Sequence, residues 1–203
     1  MNIYKELSKR LDQVFDEQAM YLCDLDRSAG DGDHGLTISR GFHTAYELVS
    51  GLNEDVKASQ VCKTIGHGML KSMGGASGPI FSTFFIQAAI ILNEREILDG
   101  EALKEILART IDAIHDLANT NRGEKTMLDA LYGAYDAVCC SEGALWEAAR
   151  QGAKKGAEST KAMMATKGRA KFLQERSIGF MDAGSWSVFL ILDTMASLFG
   201  EVS

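Results

Sequence analysis

The chain has 203 residues, with 28 acidic against 21 basic side chains and a net charge of −7. That balance excludes binding nucleic acid through the whole surface and suits a soluble, cytoplasmic protein. The length suits one domain, residues 1–203, with a single well-buried core.

The N-terminus runs straight into a charged amphipathic pattern with no apolar signal segment. From Tyr4, the residues Leu7, Leu11, Val14, Phe15 and Leu22 fall on one helical face, which predicts a first helix that delivers Asp26 near its end. The four cysteines, Cys23, Cys62, Cys139 and Cys140, show no metal-ligand spacing, and most of them read as free core thiols of a reducing compartment.

The stretch Asp26-Arg27-Ser28-Ala29-Gly30-Asp31-Gly32-Asp33-His34-Gly35 is too rich in glycine to stay helical without a large penalty. It sets three carboxylates against one another, a repulsion that a cation relieves. Asp oxygens suit a hard divalent ion such as Mg²⁺, Ca²⁺ or Mn²⁺, whereas zinc would draw on several His or Cys ligands. The other reading is a solvated acidic turn that caps the next helix. An EF-hand starting at Asp31 fails, because Gly35 and Phe42 fall where oxygen ligands are required. Gly30-x-Gly32-x-x-Gly35 spells a dinucleotide fingerprint, but no β-branched strand precedes it.

Ile38, Phe42, Ala45 and Leu48 predict a second helix closed by Asn53, and a third is expected from about Asp55 through Val61, Ile65 and Met69. Gly66 to Ser72 lacks the glycine that a Walker A loop needs before its lysine and reads as helix. Met73-Gly74-Gly75-Ala76-Ser77-Gly78-Pro79 offers free backbone N–H groups and a hydroxyl before a helix whose first position suits Pro79. Such a turn either holds a phosphate or simply allows tight helix contact. The apolar run from Ile80 to Leu92 that follows is too short to span a bilayer.

Leu103, Ile106, Leu107, Ile111, Ile114 and Leu117 predict a fifth helix. The polar loop from Asn119 to Lys125 leads into a sixth, where Met127 serves either the core or a flat ring pocket. An alanine-rich seventh helix is expected from about Ala144 to Ala165. Thr166 to Gly184 is a basic cluster in an acidic chain, and phosphate is its obvious partner. Its Phe172, Leu173, Ile178 and Phe180 should be buried. A last helix, about Trp186 to Phe199, is apolar nearly all round and should lie inside the assembly or against a partner. With one proline and no alternating strand, the fold should be all-α.

Along its whole length the chain resembles the nucleotide-binding L subunit of dihydroxyacetone kinases. The motifs are Leu25-Asp26 with Gly30-Asp31-Gly32-Asp33-His34-Gly35, Gly74-Gly75-Ala76-Ser77-Gly78-Pro79, Gly123-Glu124-Lys125-Thr126-Met127, and Lys167-Gly168-Arg169-Ala170 with Glu175-Arg176-Ser177-Ile178-Gly179. The resemblance implies a closed barrel of about eight antiparallel helices with ADP or ATP at one end. Asp26, Asp31 and Asp33 would hold two Mg²⁺ ions. His34, Gly35, Leu36, Thr37, Ala76 and Ser77 would line the phosphate and nucleotide site, Met127 would pack on the adenine side, and Arg169, Asp182 and Gly184 would complete the pocket. No residue of this chain would act as nucleophile. The acceptor would be a short-chain ketose carried on a separate K-type subunit.

In such a family ATP serves as ordinary substrate, or ADP stays bound and is recharged by a phosphotransferase-system protein. A homodimer is compatible with the resemblance, and neither nucleic acid nor membrane is an expected partner. Three departures stand out. Phe180 and Ala183 replace the usual His and Pro of a His-x-Asp-Pro-Gly pattern, Glu124 stands where Asp is usual, and Ala118 where some members have Gly. Together they point to a paralogue with a different K-type partner or ketose, and the altered Phe180-Met181-Asp182-Ala183 segment motivates a second reading, a nucleotide-dependent regulatory module that docks on a transcription factor. A hydrolytic metalloenzyme using oxygen ligands is the third.

Overall fold

The structure, a computed structural model, describes residues 2–28, 30–95 and 97–200; Ala29 of the acidic stretch lies outside them. Among the described residues there is no strand. The helices are α1 (Ile3–Arg27), α2 (His34–Ser50), α3 (Ala58–Ser72), α4 (Ser77–Arg95), α5 (Gly100–Ala118), α6 (Met127–Cys140), α7 (Leu145–Ser159) and α8 (Ala183–Phe199). Two 3-10 segments, Thr160–Ala162 and Ala170–Ser177, lie between α7 and α8.

Local chemistry starts these helices. The Asn2 side chain accepts from the amides of Tyr4 and Lys5 at 3.0 and 3.3 Å, and that of Asp99 from Ala102 at 2.8 Å. Thr126 and Asp129 form a reciprocal capping box at α6. Each helix packs on the one before it, and α8 packs on α1, α6 and α7. Short connections from α1 to α7 make sequential neighbours antiparallel, and α8 returns after a longer excursion, so the starts of α2, α4, α6 and α8 gather at one end.

The expected apolar stripes point inward except at their ends, where Leu48 of α2 and Leu117 of α5 are exposed. Leu7, Leu11, Phe15 and Leu22 of α1 are buried, as are Ile38 and Phe42 of α2 and Leu103, Ile106 and Leu107 of α5. Phe15 stacks on Phe42 at 4.3 Å, and Phe42 meets Phe85 edge-on at 5.9 Å. Each such side chain contributes about 1.5–3 kcal/mol by leaving water. The apolar last helix is buried among its neighbours along most of its length.

Several boundaries differ from the sequence reading. The first helix runs through Asp26 to Arg27, so Asp26 is helical. The second ends at Ser50 and the third begins at Ala58. The fourth begins at Ser77, which makes Pro79 its third residue, still in the first turn where amides lack helical partners. The seventh stops at Ser159 and the eighth starts three residues before Trp186. Only Cys23 and Cys62 are core thiols; Cys139 and Cys140 are exposed.

The tightest seam joins α6 to α7. A methyl group on Gly152 would strike the Gly133 carbonyl, and one on Gly156 the Asp129 carbonyl. Gly152→Ala should therefore destabilise the chain by about 1–3 kcal/mol through overpacking. A urea titration should show a lower midpoint with unchanged slope; an unchanged midpoint would mean that the seam has slack.

Candidate functional site

Asp26 sits in the last turn of α1, and the chain then doubles back so that one of its oxygens faces the start of α2. That Oδ2 accepts from the amides of Gly32, Asp33 and His34 at 2.9, 3.1 and 3.3 Å. The turn needs a left-handed residue at 32, supplied by Gly32 with φ +76°. It also needs α1 and α2 to touch, because a side chain on Gly35 would run into the Ala19 carbonyl. Asp33 precedes α2 but makes no side-chain cap bond, so its carboxylate is free for another partner.

Oxygens of Asp26, Asp31 and Asp33 lie within 4.8 Å of one another, Asp31 and Asp33 exposed and Asp26 partly so. Three hard oxygen donors at that spacing could hold a divalent ion of the Mg²⁺ class. The Arg169 guanidinium reaches across from the segment before α8 and pairs with Asp31.

His34 opens α2. Its Nε2 lies 2.9 Å from the Ser187 hydroxyl and its ring 5.7 Å from that of Phe81, so it joins the first turns of α2, α4 and α8. Burial pushes the imidazole down to about 4 despite the nearby Asp26 charge.

Asp182 caps α8, accepting from the Ser185 amide at 2.6 Å. Burial pushes its carboxyl up to about 7; the Ser185 bond and Lys125 oppose the rise, and Asp129 and Asp26 add to it. Beyond it, a side chain on Gly184 would sit 3.7 Å from Met127, so the starts of α6 and α8 adjoin.

The chain matches the DAK2 domain model over residues 28–197. It belongs to the DAK2 domain family. Over 193 residues it is 36% identical to the ADP-binding subunit DhaL of the PEP-dependent dihydroxyacetone kinase of Escherichia coli (strain K12), covering 92% of this chain and 91% of that one. It is 30% identical over 186 residues to the ADP-binding subunit DhaL of the PTS-dependent dihydroxyacetone kinase of Lactococcus lactis, covering 92% and 91%. The structure of the dihydroxyacetone kinase from C. freundii in complex with AMP-PNP and Mg²⁺ superposes with a TM-score of 0.73 at 25% identity. The match covers 95% of this chain and 33% of that longer one. Family membership makes the chain a phosphotransferase (kinase) subunit.

Within this DAK2 domain the structure gathers Asp26, Asp31, Asp33, Arg169, His34 and Asp182 at one end, with Gly184 beside Met127. Leu36 projects, 57% exposed, and Thr37 is half-buried on the same turn of α2. Ala76 is exposed and Ser77 half-buried at the start of α4; among the described residues no hydrogen bond or ion pair ties either to the carboxylates. The basic segment departs from expectation, since Phe172, Ile178 and Phe180 are exposed and Leu173 only half-buried. Its stretch from Gly168 to Arg176 stays outside the core, whereas Ser177 and Met181 are buried.

The unusual residues keep the local geometry. Ala183 takes the first position of α8, where either Pro or Ala suits the backbone, and Asp182 caps as before. The Glu124 carboxylate accepts from the Asn121 amide at 2.7 Å and the Thr120 hydroxyl at 3.2 Å. Residue-by-residue reading overlooked Ser187, a plain serine in an apolar helix, and Lys125, a lone lysine before a helix.

The His34 shift has a definite sign. Its folded value of about 4 lies below the ordinary 6.5, so between those values the unfolded chain binds the extra proton. Stability supplied by neutral His34 is full above pH 6.5 and is lost as pH falls toward 4. Asp182, shifted upward, contributes the opposite slope over about pH 4–7. Urea unfolding of the metal-free chain should therefore show that His34→Gln removes a loss of stability on acidification; parallel pH profiles for variant and wild type would refute the assignment.

Proposed function

We propose that this chain is the nucleotide-binding subunit of a dihydroxyacetone-type kinase. It would pass a phosphoryl group to a short-chain ketose held on a separate K-type subunit. The observation that carries the reading is the cluster of Asp26, Asp31 and Asp33 within 4.8 Å, with Arg169 on its rim. The run of neighbours from α1 to α8 and back to α1 supports a single domain shaped as a closed barrel of antiparallel helices, with the nucleotide at the end where α2, α4, α6 and α8 begin.

In this reading the three carboxylates hold two Mg²⁺ ions, which supply charge neutralisation on the phosphate oxygens. His34, Gly35, Leu36 and Thr37 form the first turn of α2 and set its positive end toward a phosphate, and Ala76 and Ser77 do the same from α4. Met127 would pack on the adenine side, with Gly184 adjoining it, and Asp182 fixes the start of α8 there. Arg169 is the mobile cation of the site. It leaves Asp31 for the transferring phosphoryl group and neutralises the charge that develops there. Transfer of this kind is mostly positioning and electrostatics, so no nucleophile of this chain is required.

The relatives are named as ADP-binding and as PEP- or PTS-dependent, which supports the mode in which ADP stays bound and a phosphotransferase-system protein recharges it. Four thiols without disulfides agree with a reducing, cytoplasmic setting.

Purified protein should carry ADP, detected by ultraviolet spectrum and mass spectrometry after denaturation, and should lose it to a chelator. Protein that is empty but binds ATP weakly with Mg²⁺ would mean the ordinary substrate mode, and protein that binds neither would overturn the site. Asp31→Asn should weaken Mg²⁺-dependent nucleotide binding at least tenfold, about 1.4 kcal/mol, while far-UV helicity stays the same. Unchanged affinity would remove Asp31 from the site.

A further inference from the structure

Between α7 and α8 the chain makes an excursion from Thr160 to Phe180, and its two ends lie side by side. The Gly179 amide donates to the Lys161 carbonyl at 2.7 Å, the Ala165 amide to the Ser177 hydroxyl at 2.9 Å, and the Asp182 amide to the Thr160 hydroxyl at 2.9 Å. One side chain crosses this neck from another element. The Lys125 ammonium donates to the Thr160 carbonyl at 2.6 Å and to the Phe180 carbonyl, one on each side of the neck.

Lys125 is costly to place there. It is 3% exposed, and its φ of +61° is left-handed, a conformation that side chains other than glycine rarely take. No carboxylate pairs with its ammonium directly among the described residues; Asp182 and Asp129 act on it from further away. Burial lowers its pKa, and those two charges pull it back up. A buried ammonium spent on two backbone carbonyls holds strands of chain together, which a carboxylate pair would not do.

The same polar loop grips the excursion a second time. The Thr166 amide points at the Glu124 carbonyl at 3.5 Å, and the Lys167 ammonium donates to the Asn119 carbonyl with the Glu124 carboxylate 3.7 Å away. Arg169 is two residues further on, at the point where the excursion reaches Asp31. Beyond these bonds the excursion has little hold on the bundle, since Phe172, Ile178 and Phe180 remain in solvent.

We propose that Lys125 is a positioning residue for phosphoryl transfer, pinning the neck of the 160–180 excursion so that Arg169 is presented to the carboxylate cluster. The proposal rests on the kinase reading for its catalytic consequence, though not for the pinning itself. Lys125 touches no reacting atom; it acts through Arg169.

The test is Lys125→Met, which keeps the length of the side chain and removes the donors. With the K-type partner and a ketose acceptor, kcat should fall about tenfold while the KM for the ketose and the affinity for ADP stay within twofold. In an Arg169→Ala background the same substitution should cost nothing further in kcat, because the group it positions is gone. In the isolated chain, trypsin should cut after Arg169, Lys171 and Arg176 at least tenfold faster in the variant than in wild type. A full additional loss of kcat in the Arg169→Ala background, or unchanged proteolysis, would overturn the proposal. If no phosphoryl transfer occurs with any variant or with wild type, the kinase reading fails, and proteolysis alone decides the pinning. Should Lys125→Met not fold, hydrogen exchange on wild type decides. The Gly179 and Asp182 amides should exchange at least a hundredfold more slowly than those of Gly168 and Lys171 in the same excursion, and equal rates would show that the neck is open.

Discussion

Three backbone amides converge on one oxygen of Asp26, and the rest of the site depends on that convergence. A carboxylate at the end of a helix faces the unfavourable end of its dipole. Here the end of α1 is set against the start of α2, and the amides of residues 32–34 supply the compensating positive ends. The turn that makes these bonds also carries Asp31 and Asp33 back to Asp26, so a cluster of like charge is assembled by neutral donors. Sequence proximity alone would let the three carboxylates splay apart into water.

The same end of the bundle resolves an apparent conflict of charge. An acidic chain is a poor host for a polyphosphate, yet alternating helix direction brings the starts of α2, α4, α6 and α8 together, and each presents free amides. Helix starts are positive without adding net charge. The one strongly basic segment, around Lys167, Arg169 and Lys171, is laid along the outside, and Arg169 reaches Asp31 from there. Helix starts and an arginine thus lie at the same end of the bundle as the three carboxylates, an arrangement that would suit a metal-bound phosphate better than either ion alone.

Helical periodicity made the interior legible. Leu7, Leu11, Phe15, Ile38, Phe42 and Leu103 are buried where a 3.6-residue repeat puts them, because a bundle core is selected by that repeat. Ends were less readable, for physical reasons that differ case by case. Asp182 reads as a site residue, but its carboxylate also caps α8, so the helix begins three residues before Trp186. Alanines after Ser159 favour helix, yet the Thr160 hydroxyl bonds back to the Ala157 carbonyl and its amide partners tighten into a 3-10 turn. Phe172 and Phe180 show that an aromatic residue does not entail burial when the segment bearing it has no apolar face to meet. The carboxylate cluster was legible because glycines and aspartates were adjacent in sequence; Ser187, on the distant α8, had no pattern to mark it, and Lys125 stood in a motif that did not disclose its partners at Thr160 and Phe180.

The mobile part of the site follows from how little apolar contact holds it. An arginine on a helix would be rigid but would stay fixed relative to the carboxylates through every step. Arg169 sits instead on a 3-10 excursion secured by polar bonds at Thr160, Thr166, Lys167 and Gly179. Such bonds are directional, so they set position, and each contributes little net free energy, so the tip can shift when a ligand competes for it. The neck differs from the tip in one respect. Thr160 is buried there, and the bond to the Phe180 carbonyl is partly so, where an unpaired carbonyl would be expensive. An apolar residue at position 125 would leave the Thr160 carbonyl with the Met163 amide alone and take from the Phe180 carbonyl its ammonium donor, and a carboxylate would repel both. A lysine there, with three donors on a flexible stem, satisfies both at once, which accounts for a cation buried in a backbone conformation that disfavours it.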